Sequence, residues 1–285
     1  MQKILFSLIR FSGIPWLLRE VIYKRQIVIL CFHNLSPHVA DGCYQTLKSL
    51  YNIIPLKEYS DLLAGKSGEP LPEKALIITI DDGIKENYDL LSILKRENIS
   101  ITIFACSAIV GTHRHYWWKH VPEDVNSEEL ELMPNSLRLE KLAGYGFDEN
   151  QEFEKRQALS LKEIQEMQEF VDFQSHTRFH PALPQCDQNR AEEEIGFSKQ
   201  ELEENIKRTV YAIAFPNGKY SDRDVEMVKQ SGYQCSLTTD EGLNSLESDP
   251  FKLKRIDIPD NVDINELVVK ASGAWSLLKY VLRKN

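Results

Sequence analysis

The sequence predicts an α/β fold, a closed barrel in which short parallel strands alternate with helices. The chain has 285 residues and is 42% hydrophobic, enough to bury the core of one barrel-sized domain. Short runs rich in β-branched residues alternate along it with helical patterns, as they do in parallel sheets with crossover helices. One run ends in two adjacent carboxylates, and β/α barrels carry their chemistry at the carboxyl ends of their strands.

Eight runs are predicted to be strands because β-branched and aromatic residues dominate them. In chain order they are QIVILCF (26–32), NIIPL (52–56), ALIITI (75–80), SITIFAC (100–106), FVDFQS (170–175), YAIAFP (211–216), QCSLTT (234–239) and KRIDIP (254–259). Between them, helical patterns occupy residues 85–97, 160–170, 191–207 and 221–230, the last with Ser221 and Asp222 as its start signal.

The alternation is interrupted at both the N-terminus and the middle of the chain. Residues 1–25 are predicted to be a separate helical segment, and residues 26–285 a single barrel domain with an insertion at about 112–159. Arg10 and Pro15 break the first apolar run and no small-residue cleavage site follows, so no secretory signal is predicted. The segment either packs on the outside of the barrel or lies on a membrane surface.

The net charge of the chain limits the kinds of partner it can bind, and its cysteines indicate the cellular compartment. The 34 basic and 43 acidic residues give a net charge of −9, which argues against a nucleic-acid surface. Five scattered cysteines with no CxxC spacing indicate reduced core thiols, as in a cytoplasmic protein. We therefore expect a cytoplasmic location, with the inner face of the membrane as the alternative that the N-terminal segment leaves open.

The stretch LIITIDDG places Asp81 and Asp82 directly after a buried strand. Two adjacent carboxylates raise each other's pKa, and burying them is costly unless a cation compensates. A cation site is indicated by His176 and His180, which are four residues apart after another predicted strand. Two imidazoles and one carboxylate can bind a divalent metal and leave positions open for water and substrate. Otherwise His176 would be a capping residue and His180 a surface histidine.

Three motifs carry a resemblance to a known family. They are TIDDG (79–83), SHTRFH (175–180) and AFPNG (214–218). The chain resembles, from about residue 28 to 258, the polysaccharide deacetylases of the NodB-homology type, carbohydrate esterase family 4. The resemblance implies a distorted seven-stranded (β/α) barrel and the metal-dependent removal of an N- or O-acyl group from a sugar.

The resemblance also implies roles for individual residues. Asp82, His176 and His180 would bind the divalent metal, zinc in the first place with cobalt, nickel or manganese as alternatives, and Asp81 would be the general base. Pro216 and Asn217 of the third motif are expected to contact the substrate. Trp117 and Trp118 in the insertion offer flat faces suited to sugar rings, although a doubled aromatic is also ordinary packing.

Two residues of the family pattern are missing. Ala214 stands where the third motif has an arginine that braces the base, and no histidine follows His180 to protonate the leaving amine. Because the first and last strands of a closed barrel are neighbours, they could supply both groups. His33 ends the first strand, where the resemblance to exopolysaccharide deacetylases with a rearranged motif order puts a histidine, and Arg255 lies on a late strand. The alternatives are a core histidine and a surface arginine.

The expected function is a hydrolase that removes N-acetyl or O-acetyl groups from amino-sugar units of a surface polysaccharide or its precursor. Two alternatives remain at this point. One is a deformylase or deacetylase of a lipid-linked or nucleotide-linked sugar. The other is an inactive carbohydrate-binding scaffold, which the two missing residues favour. In each case the partner is a carbohydrate.

Overall fold

Eight parallel strands organise the computed structural model, which describes residues 2–66 and 69–284. Seven of them close into a barrel in the order β1-β8-β7-β6-β5-β4-β3, with β3 pairing back to β1, while β2 pairs with the first residues of β3. This confirms the seven-stranded β/α barrel. The strands are β1 (Val28–Phe32), β2 (Asn52–Ile53), β3 (Ala75–Ile80), β4 (Ile101–Ala105), β5 (Val171–Ser175), β6 (Ala212–Ala214), β7 (Cys235–Glu241) and β8 (Leu253–Asp257).

Thirteen α-helices surround the barrel in the described part of the chain. They are α1 (Gln2–Phe11), α2 (Ile14–Leu17), α3 (Pro37–Leu50), α4 (Leu56–Leu63), α5 (Leu91–Glu97), α6 (Ser127–Leu132), α7 (Asn135–Gly144), α8 (Leu161–Met167), α9 (Gln188–Glu192), α10 (Ser198–Ile206), α11 (Asp222–Gln230), α12 (Ile264–Ala271) and α13 (Ala274–Lys284).

The predicted helices are present, with local differences. Ser221 caps α11 and completes a capping box with Asp224, as the start signal indicated. The helix predicted at 85–97 begins as a 3₁₀ turn at Lys85–Leu90, where Ile84 provides no side-chain cap. The helix predicted at 191–207 consists of α9, a π-helical turn at Glu193–Phe197, and α10. These are differences in helical winding rather than in position.

The strands place alternate side chains on opposite faces, which determines where the site forms. Residues such as Ile29, Ile77 and Leu253 belong to one buried cluster drawn from several strands, as expected for the inside of a closed barrel. The following inward positions on these strands are Cys31 and His33, Thr79 and Asp81, and Arg255. Period-two alternation therefore brings the polar residues at the strand ends into one space.

The N-terminal segment is helical, and one of its faces packs on the outside of the barrel. Phe6 of α1 and Leu18 are buried with Val269 and Ala274 from the C-terminal helices. None of the described helices has both the length and the apolar character needed to cross a bilayer. All five cysteines are buried and unpaired, as expected for core thiols.

Candidate metal centre and catalytic site

Asp81 and Asp82 lie directly after β3, where the chain leaves the barrel through a turn with left-handed backbone conformations. The φ angles of Asp82 and Gly83 are both 74°. At Gly83 an added Cβ would lie 3.0 Å from the Cβ of Ala105, so both the backbone conformation and the available space favour glycine. The turn lets the two neighbouring carboxylates face different partners.

The two histidines follow β5 on a loop with two left-handed residues, Thr177 (φ 64°) and His180 (φ 58°). His176 Nε2 lies 3.7 Å from Asp82 Oδ1, and His180 Nε2 lies 3.5 Å from the same oxygen. One potential ligand atom from each of these three residues lies within 4.8 Å of the other two. The structure thus brings together the three residues for which the sequence suggested metal binding.

The geometry and the chemistry of this group both fit a divalent metal. Ligand atoms bound to one zinc at about 2.1 Å with tetrahedral angles are roughly 3.4 Å apart, close to the two separations observed here. Among the described residues, the buried Asp82 Oδ1 has no hydrogen-bond partner. A buried carboxylate oxygen without a partner is costly, and a cation between it and the two imidazoles would remove that cost.

The orientation of His176 and the protonation state of His180 also suit metal binding. His176 Nδ1 lies 2.8 Å from the carbonyl oxygen of Ala214, which accepts a hydrogen bond from an Nδ1–H, so Nε2 is the ring nitrogen that faces the site. Burial, together with the neighbouring His176, lowers the pKa of His180 well below its usual range. His180 is therefore a neutral imidazole, the form that ligates metals.

Asp81 has a different partner, the guanidinium of Arg255. Arg255 is fully buried, and its two terminal nitrogens donate to the two oxygens of Asp81 at 2.7 Å each. Its Nε donates to the carbonyl of Thr238 at 2.8 Å, which fixes the plane of the guanidinium. Burial alone would raise the pKa of Asp81, but the charge and hydrogen bonds of Arg255 outweigh it and hold that pKa well below its ordinary value.

These residues open onto a cavity of about 260 Å³ at the carboxyl end of the barrel. His33 reaches it from the end of β1, where Asn87 donates a hydrogen bond to the His33 carbonyl at 3.0 Å. Asn217 lines the cavity, whereas Pro216 is buried and is not among the described residues that line it. The lining residues are His33, Asp81, Asp82, Trp117, Trp118, Ser127, Glu131, His176, His180, Asn217 and Thr239.

The insertion contributes directly to this site. The Tyr116 hydroxyl donates to the carbonyl of Asp82 at 2.9 Å, and Trp117 Nε1 donates to the carbonyl of His180 at 3.1 Å. Trp117 is only 3% exposed, so most of its ring is packed in the small core of the insertion. Trp118 is half-buried, with its ring centroid 4.6 Å from that of His180. The two tryptophans therefore differ. Trp117 supports the backbone of His180, whereas Trp118 is the more accessible of the two on the cavity wall.

Several residues of the site were not found from the sequence. Glu194 is fully buried, and one of its oxygens accepts hydrogen bonds from the backbone amides of Arg178 and Phe179, at 2.8 and 2.9 Å, within the histidine loop. It is one of three consecutive glutamates, and nothing in the pattern distinguishes it from the other two. Tyr116 directly precedes Trp117 and Trp118 in the sequence, and this was the only indication that it could belong to the site. The Cys31 thiol lies 3.5 Å from an Asp81 oxygen, and nothing in the sequence indicated that it would belong to the site.

Over more than half of its length, the chain is similar to known proteins. A family model described as polysaccharide deacetylase matches residues 68–236. The chain is 24% identical over 217 residues to YxkH of Bacillus subtilis, a protein assigned to the polysaccharide deacetylases, a match that covers 76% of this chain and 60% of that protein. It is 29% identical over 108 residues to the poly-β-1,6-N-acetyl-D-glucosamine N-deacetylase of Staphylococcus epidermidis, covering 34% of this chain and 37% of that one.

The fold is also similar to solved structures. The Streptococcus pyogenes deacetylase PplD in complex with acetate has a TM-score of 0.65 and 22% identity, covering 86% of this chain and 98% of that one. At this identity the likeness concerns the fold alone. The chain spans less than two thirds of the length of either curated relative.

Proposed function

The chain belongs to the polysaccharide deacetylase family, a family of hydrolases, and from this premise we propose that it removes N-acetyl groups from amino-sugar units of a surface polysaccharide or its precursor. One observation carries the proposal. The group Asp82, His176 and His180 shares a cavity with the Asp81–Arg255 pair and with His33. An O-acetyl group on the same sugars is the alternative target.

The metal is proposed to be a divalent ion, zinc in the first place, held by Asp82, His176 and His180. When bound, it would polarise the acyl carbonyl and lower the pKa of a water molecule in the site. The Ala214 carbonyl accepts a hydrogen bond from His176 Nδ1 and so orients that ring, whereas Trp117 donates only to the backbone carbonyl of His180. These contacts support the ligands from outside the cavity.

Asp81 is proposed to be the general base. The water oxygen adds to the acyl carbon while Asp81 accepts its proton. Because Arg255 holds the pKa of Asp81 low, the carboxylate is ionised at neutral pH and its two oxygens are fixed in direction. Its Oδ2 lies 3.9 Å from His176 Nε2, so Asp81 is beside the histidine ligands without belonging to the group of three.

His33 is proposed to be the general acid. An amine is a poor leaving group and must gain a proton as its carbon–nitrogen bond breaks. His33 lies at the edge of the cavity, directly after β1, a strand hydrogen-bonded to both β3 and β8. In the proposed reaction the C–N bond breaks, the amine leaves with the proton of His33, and the acyl group leaves as acetic acid, which loses its proton to solvent as acetate. Asp81 then releases to solvent the proton it took from the water, and His33 regains one.

The substrate is proposed to be a polymer of N-acetylhexosamine. A cavity of about 260 Å³ is at the small end for ligand sites, so it suits one sugar unit with its acyl group rather than a longer segment. Trp118 offers a ring face to the sugar, and Ser127 and Asn217 offer polar groups. Since the Staphylococcus relative is named for poly-β-1,6-N-acetyl-D-glucosamine, β-1,6-linked oligomers are the first substrate to test.

The inactive-scaffold alternative depended on the missing arginine and histidine. Arg255 and His33 are the residues proposed to replace them, and the buried Arg255–Asp81 pair supports the first replacement.

The test is acetate release, together with new free amine, from zinc-loaded protein. β-1,6-linked and β-1,4-linked N-acetylglucosamine oligomers and an O-acetylated oligomer would be compared, with Asp81→Asn as the matched control. From the N-acetylated oligomers we expect acetate and amine in equal amounts with the wild type, and both nearly absent with the control. Sugar binding without acetate release from any of these compounds would favour the scaffold.

A further inference from the structure

Exposed apolar side chains are concentrated at the two ends of the chain. The described residues include 18 exposed large hydrophobic side chains, and 12 of them lie either in the first 22 residues (nine) or in α13 (three). Single exposed hydrophobics are normal, but a concentration of this kind marks an interaction surface. These 12 residues, here called the terminal apolar face, are Ile4, Leu5, Leu8, Phe11, Ile14, Trp16, Leu17, Val21, Ile22, Leu277, Tyr280 and Val281.

The two ends of the chain are in contact with each other. The rings of Phe6 in α1 and Trp275 in α13 have centroids 4.8 Å apart. Both helices pack through their buried sides near α12, where Phe6 and Ala274 join one small core with Val269. The helices α1 and α13, whose exposed sides carry many of these apolar residues, are therefore neighbours in the fold. None of these residues lines the catalytic cavity, so the surface is separate from the proposed active site.

The N-terminal part of this face has an excess of basic residues in its sequence, although Arg19 is buried and paired with Glu20. Residues 1–25 contain five basic residues and one acidic residue, in a chain with a net charge of −9. In α13, Lys279 forms an ion pair with Glu241 of β7 at 2.7 Å, so it adds no free charge to the face. Among the described residues, Lys3 has no acidic partner, and Arg10 donates only to the side-chain oxygen of Asn265. Lys24 and Arg25 share the single carboxylate of Glu73.

We propose that the terminal apolar face is a docking surface for an anionic lipid bilayer. Apolar side chains with basic neighbours are the combination that inserts at the boundary between headgroups and acyl chains while attracting anionic lipid. None of the described helices has the length and apolar character to cross a bilayer, and the proposed contact lies at the headgroup boundary. Self-association through this face is disfavoured because it would bring two copies of the same positive rim together.

The test is co-sedimentation of the purified full chain with vesicles of phosphatidylcholine alone or of phosphatidylcholine with phosphatidylglycerol. We expect binding to the anionic vesicles that weakens as salt is added. Leu8→Glu, which changes a side chain 67% exposed, should lower the partition coefficient by about tenfold or more. Lys3→Gln should lower it by about fivefold, the effect of one basic residue at an anionic surface.

Leu137→Glu is the matched control, because Leu137 is also a helical leucine, 51% exposed, but lies on α7 of the insertion. It should bind anionic vesicles as the wild type does. Circular dichroism and the thermal midpoint should be unchanged in Leu8→Glu, since no buried contact is removed. No binding of the wild type to anionic vesicles, or equal loss in Leu8→Glu and Leu137→Glu, would overturn the proposal. The proposal would also be overturned if the wild type were a dimer that does not bind vesicles and Leu8→Glu made it a monomer.

Discussion

The guanidinium of Arg255 donates to both carboxylate oxygens of Asp81 at 2.7 Å, across the buried interior of the barrel. Asp81 follows β3 and Arg255 belongs to β8, and β1 pairs with both strands. In the family pattern the brace comes from the third motif, where this chain has Ala214. A closed barrel allows this exchange because strands far apart in sequence present side chains to the same interior.

The first prediction concerns this pair. Arg255→Lys keeps the positive charge but cannot form two parallel hydrogen bonds, so we expect turnover to fall by about 10- to 100-fold. Arg255→Ala leaves the Asp81 charge buried without a partner and should lower the free energy of unfolding by about 3–5 kcal/mol, measured by urea denaturation. Wild-type turnover in Arg255→Lys would show that the bidentate brace has no part in the reaction.

The second prediction separates the base from the metal ligands. Asp81→Asn is nearly isosteric and keeps one oxygen that can accept from Arg255. We therefore expect the protein to keep its fold and its metal and to lose turnover by about 10²- to 10⁴-fold, the usual contribution of a general base. Metal content and acetate release would be measured on the same preparation. If turnover were unchanged, Asp81 would have to be removed from the mechanism.

The third prediction concerns His33. If it protonates the leaving amine, His33→Gln should retain the metal, turn over N-acetyl substrates slowly and lose the alkaline limb of the pH–rate profile. Esters with activated leaving groups need no such proton, so their hydrolysis should be affected much less. Equal losses on the amide and on the activated ester would assign His33 some other role.

The fourth prediction tests the support given by the insertion. Trp117→Phe keeps an aromatic ring but removes the hydrogen bond to the His180 carbonyl. Loss of such an outer contact commonly weakens metal affinity by about 10- to 100-fold, and a competition assay with a chelator would measure it. Trp118→Phe is the matched control, with affinity expected to stay near the wild-type value. Similar affinities in both variants would mean that Trp117 only packs.

The fold could be predicted from the sequence to a large extent. The central strands are buried on both faces, so they appear as short apolar runs such as ALIITI and SITIFAC, and turn residues separate them. The winding of the helices could not be predicted. The π-helical turn at Glu193–Phe197 contains the buried Glu194, whose partners lie on a different loop. Such contacts depend on tertiary packing, which local patterns do not encode.

The same distinction applies to the site. Asp81, Asp82, His176 and His180 could be found because each pair follows a strand in a short motif. Tyr116 and Trp117 support the site through backbone carbonyls, those of Asp82 and His180. Every residue has a backbone carbonyl. A hydrogen bond to a carbonyl therefore requires no particular residue type in the acceptor, and the sequence cannot reveal it.

The central claim is that Asp82, His176 and His180 hold a divalent metal on which hydrolysis depends. The most direct test is the metal content of the wild type, Asp82→Ala, His176→Ala and Asp81→Asn after dialysis against a mild chelator, measured by mass spectrometry beside acetate release. We predict one divalent ion per chain in the wild type and in Asp81→Asn, and loss of both metal and activity in the two alanine variants. Stoichiometric metal retained in Asp82→Ala and His176→Ala, or full activity in metal-free wild type, would contradict the account.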